Sequence, residues 1–347
     1  MSETEKNEIL DSLRSQMTGE LVKDLVFLEA KAAEYAKQEN GDEIANAIAE
    51  MAMSMMPQDH LDFMKQKIFI GERRLDAVYA EANALMQKGQ YDKAVVLTGQ
   101  IYDKIREEYG ETEDARIFSF RNLLESNLYY IMYHPTKRLE KAPFDFVRYL
   151  MAHAFNLVET RRPSEAIEVL ETAIRFNPVC PDPRFELAEI YKLMHEHDKL
   201  LTVIRETIPV CASPYALSRC YANLGYYCVD VKEFEKAVCF YFESLIYTQT
   251  PAIRAELVHV SQMMGKKIEP PKRVQVLEAF ESLDIPNGPD MNVLQVANVL
   301  GEQAMQKEEW ENACFYLRLY ADLTNDEEAK RLFAECQEKA KAQKSAE

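Results

Sequence analysis

The 347-residue chain carries 58 acidic against 41 basic side chains, and a net charge of -17 repels a nucleic-acid backbone or an anionic lipid surface. Its 47% hydrophobic content supplies a sizeable core and excludes disorder over most of the length. With only 10 glycines and 14 prolines there is too little punctuation for a sheet protein that turns about every eight to twelve residues, so the expected class is all-α.

The opening MSETEKNEIL has neither the basic nor the apolar region of a secretion signal, and the apolar runs elsewhere are short and interrupted by charges. A cytoplasmic chain without membrane contact is expected. Within residues 1–70, the segments LVKDLVFLEAKAAEYAKQ and DEIANAIAEMAMSMM both show helical periodicity, which predicts an acidic N-terminal helical subdomain or cap.

From residue 71 onward a pattern recurs: a small residue, a large one three later, a turn, then a small residue twelve after the first. Ala82, Leu85 and Ala94 carry it in YAEANALMQKGQYDKAVVL. Residues 109–146 break the pattern with a helix and an irregular exit through HPTKRLEKAPFD. Ala154, Leu157 and Ala166 restore it, with Ala173 and Pro178 closing the unit, and residues 181–214 follow with Leu200 where a small residue is expected.

Residues 223–244, NLGYYCVDVKEFEKAVCFYFES, pack two cysteines and six aromatic residues around the same motif. Two amphipathic stripes run through this region, one of Tyr221, Leu224, Gly225 and Cys228, the other of Phe234, Ala237, Val238, Tyr241 and Leu245. A helical hairpin turning near Asp230 to Glu233 explains both, with Gly225 and Ala237 permitting close helix approach. A divergent hairpin is expected over 252–285, and Gly301, Ala304 and Ala313 give a last copy over 294–327. Residues 328–347 read as a capping helix that fades into a polar tail.

These spacings, 34 residues from Ala154 to Ala188 and 37 from Ala188 to Gly225, resemble the tetratricopeptide repeat family. Leu224-Gly225 with Ala237 and Tyr241, Gly89-x-Tyr91 with Ala94, Leu300-Gly301 with Trp310 and Ala313, and Ala166, Ala173 and Pro178 carry the resemblance. It implies an α-solenoid, a superhelical array of hairpins over residues 71–327. It also implies a recognition groove on the first helix of each unit, which here projects onto Arg148, Met151, Phe155, Phe185, Glu189, Lys192, Arg219 and Tyr226, and further along onto Asn298, Glu302 and Met305. Exposed aromatic, methionine and charged side chains in such a row suit an extended or helical peptide.

No catalytic, metal or cofactor motif stands out. There is no Gly-rich phosphate loop, no G-x-S-x-G elbow and no H-E-x-x-H helix. The seven cysteines form no C-x-x-C pair and read as reduced, buried thiols. His195 and His197 of HEHD read as a solvated turn, and His153 as a core histidine. The expected function is a non-enzymatic protein- or peptide-binding adaptor with a protein partner and a possible homo-oligomeric state. The alternative is a peptide-sensing regulator with the N-terminal helices as effector.

Overall fold

A computed structural model of the chain describes residues 3–36 and 41–346. The end of the first predicted N-terminal helical segment, at 37 and 38, and the last residue of the polar tail lie outside them. The chain divides into two compact units, residues 1–75 and 76–347.

In the first unit, helices α1 (Glu3–Ser15), α2 (Leu21–Tyr35), α3 (Asp42–Met55) and α4 (Gln58–Ile68) precede a short antiparallel pair, β1 (Phe69–Ile70) and β2 (Arg73–Arg74). Leu10 and Leu13 of α1, Leu28 of α2, and Ile44 and Ile48 of α3 form its own buried core. The buried Asp24 carboxylate ties the α1–α2 link by accepting from the Thr18 and Gly19 backbone N–H groups at 2.6 and 2.8 Å.

The second unit begins with a hairpin of α5 (Leu75–Gln87) and α6 (Tyr91–Glu108). An insertion follows: β3 (Ala115–Phe118), α7 (Leu123–Tyr133) and β4 (Arg138–Lys141). Three hairpins come next, α8 (Phe146–Glu159) with α9 (Pro163–Phe176), α10 (Asp182–Leu193) with α11 (His197–Thr207), and α12 (Pro214–Asp230) with α13 (Phe234–Tyr247). The chain continues through α14 (Pro251–Met264), α15 (Arg273–Ser282), α16 (Met291–Gln306), α17 (Trp310–Thr324) and α18 (Glu327–Ala346).

Local chemistry starts these helices. Asn122, Asp145, Ser213, Thr250 and Asp290 each accept a hydrogen bond from a first-turn backbone N–H, and Pro163, Pro183, Pro214 and Pro251 occupy early positions where a missing N–H costs nothing. One kind of turn joins five hairpins of the second unit. Gly89, Arg161, His195, Lys232 and Glu308 all take positive φ, between 55° and 67°. In each case the following N–H reaches back to a carbonyl one turn and a half earlier, as Arg162 does to Leu157 at 2.8 Å and Glu233 to Cys228 at 2.7 Å.

The packing columns behave as the sequence pattern predicts. Tyr221, Leu224, Cys228, Ala237 and Tyr241 are buried, so the aromatic and cysteine-rich stretch is the interior of a hairpin. All seven cysteines are free; six are buried and Cys314 is half-buried.

Three departures from the expected array matter. The 109–146 segment is not simply a long helix: β3 and β4 pair in parallel, Ala115 opposite Arg138 through Phe118 opposite Lys141, and α7 spans 11 residues. Its Glu125, 3% exposed, is bound by Arg121 and by Asn177 Nδ2 at 2.8 Å, which fastens the insertion to the α9–α10 link. Second, α15 packs on α13, and Arg205 of α11 donates to the Leu283 carbonyl at 2.7 Å. The 252–285 region is therefore no ordinary hairpin. Third, α16 packs on α7, where Val293, Val296 and Ala297 join Leu124, Leu128, Tyr129 and Phe118 in one core.

Candidate peptide-binding face

Helices α10 and α12 lie side by side, and residues about one repeat apart meet across them. The Arg219 guanidinium stacks over the Phe185 ring at 4.5 Å and reaches the carboxylates of Glu186 and Glu189 at 3.5 and 3.4 Å. Lys192 pairs with Glu189 at 2.7 Å, donates to Asn223 Oδ1 at 3.2 Å, and sits over the Tyr226 ring at 5.2 Å. Five of the eight projected groove residues thus converge: Phe185, Glu189, Lys192, Arg219 and Tyr226.

Phe185 does not have the expected exposure. It is 3% exposed, because α10 packs against α9 and α11 and its ring is roofed by Arg219 of α12. It supports the face and cannot anchor a ligand. Lys192 and Arg219 are likewise paired with carboxylates, so they form an ionic ladder in place of free cations.

On α8 the remaining projected residues look toward the first hairpin. Arg148 lies over the Tyr79 ring at 5.1 Å, and Phe155, 44% exposed, meets Tyr91 edge-on at 5.7 Å. Met151 is half-buried. Asn298, Glu302 and Met305 belong to α16, which packs on α7; Asn298 donates to Glu302 at 2.9 Å, and Met305 packs into the C-terminal core. They do not extend the α10–α12 ladder.

Glu186 and Asn223 stand in clamp-like groove columns of the sequence but outside the projected row of contact residues, and the structure joins both to it. The separations Glu186–Arg219 (33), Glu189–Arg219 (30) and Lys192–Asn223 (31) are all close to one repeat, and a search for opposite charges at that offset finds the ladder.

The other polar candidates are structural. His197 Nδ1 lies 2.8 Å from Asp230 Oδ2 and His195 Nδ1 lies 4.0 Å from it, on the exposed α10–α11 turn. Among the described residues no group of three or more His, Cys, Asp or Glu is arranged to hold a metal ion. His153 is buried, with Nδ1 2.9 Å from Thr98 Oγ1 and the ring stacked on Tyr102.

Burial pushes the His153 imidazole down to about 4, and the nearby Arg162 adds to the effect. The unfolded chain takes up this proton near 6.5 and the folded chain only near 4, so stability is lost as pH falls through that window and levels off below it. Wild type is expected to lose about 2 kcal/mol more than His153→Gln between those limits. Urea unfolding of both proteins across pH measures the difference.

One geometry unites the hairpins. Gly225 leaves the space that the Tyr241 ring fills, Gly301 does the same for Leu317, and five hairpins of the second unit turn through a left-handed residue at the same place. The second unit is an all-α array of tetratricopeptide-like hairpins.

No protein-family model matches the chain, and no curated protein matches it. Solved structures similar to this tetratricopeptide array include PilF of Pseudomonas aeruginosa, with 13% identity, a TM-score of 0.39, and coverage of 76% of this chain and 96% of that one. A tetratricopeptide repeat protein from Parabacteroides merdae shows 11% identity and a TM-score of 0.40, covering 90% of this chain and 98% of its own. The C-terminal part of a repeat protein from Cytophaga hutchinsonii shows 11% identity and 0.38, with 90% and 99% covered. At such values the hairpin geometry itself, and not these neighbours, defines the fold.

Proposed function

We propose that the chain is a non-enzymatic adaptor that binds a protein or peptide segment along the first helices of its tetratricopeptide hairpins. The observation that supports this is the preformed ladder of Glu186, Glu189, Lys192 and Arg219 beside the Tyr226 ring, with Phe155 exposed on α8. A partner's charged side chains exchange into this ladder while its apolar ones cover Tyr226 and Phe155. Because the groups already hold one another in place, binding orders few side chains and loses little entropy. Among the described residues no helix is long and apolar enough to cross a membrane.

The test is affinity capture from cell lysate with wild type beside a Phe155→Ala, Arg219→Ala, Tyr226→Ala triple variant of equal folded content. Phe185 is left intact because it is 3% exposed and truncating it would open a cavity in α10. A protein retained by wild type and lost by the variant is the expected result; equal retention would overturn the assignment.

The separate core of residues 1–75 favours a second reading, in which this unit is an effector that responds to occupancy of the repeats. Amide exchange in residues 3–36 and 41–75 that changes when the partner identified above is added supports it, and unchanged exchange excludes it.

A further inference from the structure

The insertion ends in an unfinished sheet. In a parallel ladder alternate residues of a strand turn both backbone groups toward the neighbour. Arg138 N–H donates to the Asp114 carbonyl at 3.0 Å and Ala142 N–H to that of Phe118 at 2.8 Å, so Arg138, Glu140 and Ala142 face β3. Leu139 and Lys141 therefore turn their N–H and C=O groups outward. Among the described residues the sheet has two strands, and β4 is its more exposed member.

Beside this edge is a hollow of about 410 Å³ whose walls include Phe120, Leu123, Tyr130, Leu139 and Lys141. Leu123 and Tyr130 lie seven residues apart on one stripe of α7 and are 59% and 52% exposed. The α7 layer under the sheet thus offers apolar surface beside the open edge of β4, where a third strand would lie.

We propose that β4 pairs antiparallel with β4 of a second copy of this chain, giving a four-stranded sheet across a two-fold axis. Charge complementarity selects this occupant. With Leu139 opposite Leu139 of the copy, Arg138 of each chain stands opposite Glu140 of the other in a non-hydrogen-bonded pair, where side chains are closest. Arg138 and Glu140 already pair within one chain, so the two copies form an alternating square of four charges. Lys141 faces Lys137 of the copy, and that ammonium is held by Glu111 at 2.8 Å. A two-fold axis normal to the sheet keeps both α7 helices on one face, so that their Leu123 and Tyr130 stripes meet over the seam.

Sedimentation velocity across the micromolar range tests the proposal, using Lys141→Pro. Proline there removes an outward N–H and leaves the β3–β4 ladder intact, as edge strands allow. Wild type is expected to dimerise with rising concentration, and Lys141→Pro to stay monomeric with an unchanged circular dichroism spectrum. Glu140→Arg alone places like charges across the seam twice and weakens the dimer by about tenfold. Arg138→Glu combined with Glu140→Arg restores it. A wild type that stays monomeric throughout, or a dimer that persists in Lys141→Pro, overturns the proposal. Loss of the dimer in the double charge swap does the same.

Discussion

Gly225→Ala is expected to cost about 3 kcal/mol of folding free energy, one of the largest single-site effects in the chain. A Cβ at this position would stand 2.6 to 2.8 Å from three atoms of the Tyr241 ring. Tyr241 is 1% exposed and cannot swing into solvent, so α12 and α13 must separate along their whole contact. The helix-propensity gain of alanine over glycine, about 1 kcal/mol, recovers only part of this. Gly301→Ala occupies the same column with the opposite expectation. Its Cβ would meet Leu317 Cδ2 at 3.0 Å and Cγ at 3.1 Å, a shortfall of a few tenths of an ångström that a small shift of the side chain relieves, against 2.6 to 2.8 Å at Gly225. Its net effect should stay within about 1 kcal/mol. Denaturant unfolding of the two variants beside wild type measures both, and equal losses would contradict the packing described for Tyr241.

Arg273→Ala is expected to cost about 3 kcal/mol, the lower end of the range for breaking a buried ion pair, because Arg273 itself is half exposed. The buried partner is Glu243, whose side chain is 5% exposed. Arg273 donates to both of its oxygens at 2.9 and 3.1 Å, and Asn287 donates to Oε1 at 2.9 Å. Asn287 also accepts from Arg273, and the adjoining Gly288 N–H donates to the Tyr221 hydroxyl at 2.8 Å. Removing Arg273 leaves a buried carboxylate with one amide for company. The same contacts hold α15 and the link to α16 against α12 and α13, so the variant should also speed amide exchange over 273–290. Thermal and urea unfolding give the stability loss; a change below about 0.5 kcal/mol would show that Glu243 is stabilised without Arg273.

The hairpin array was legible because close packing restricts two columns to small residues at a repeating offset, and that restriction survives in Ala82, Ala154, Gly225 and Gly301. The turns were less legible. Four of the five left-handed positions hold Arg, His, Lys or Glu in place of glycine or asparagine, so no composition cue marks them. The insertion strands were hidden for another reason. ARIF and RLEK are four residues each, too short to show a two-residue period, and they pair across an intervening helix. Phe185 was misread because the open stripe of α10 carries Glu186, Glu189 and Lys192, one position away from Phe185, whose ring turns inward under Arg219. The ionic ladder of α10 and α12 lay in plain sequence, but opposite charges gain meaning only once the repeat offset brings them together.

Substitution of a photo-crosslinking phenylalanine analogue at Phe155, at Tyr226 and at Glu168, an exposed residue of α9, tests the adaptor account most directly. Irradiated in lysate, the first two positions are expected to capture the same protein and Glu168 none. Capture of that protein from Glu168 alone, or of unrelated proteins from Phe155 and Tyr226, would contradict a binding face on the first helices of the array.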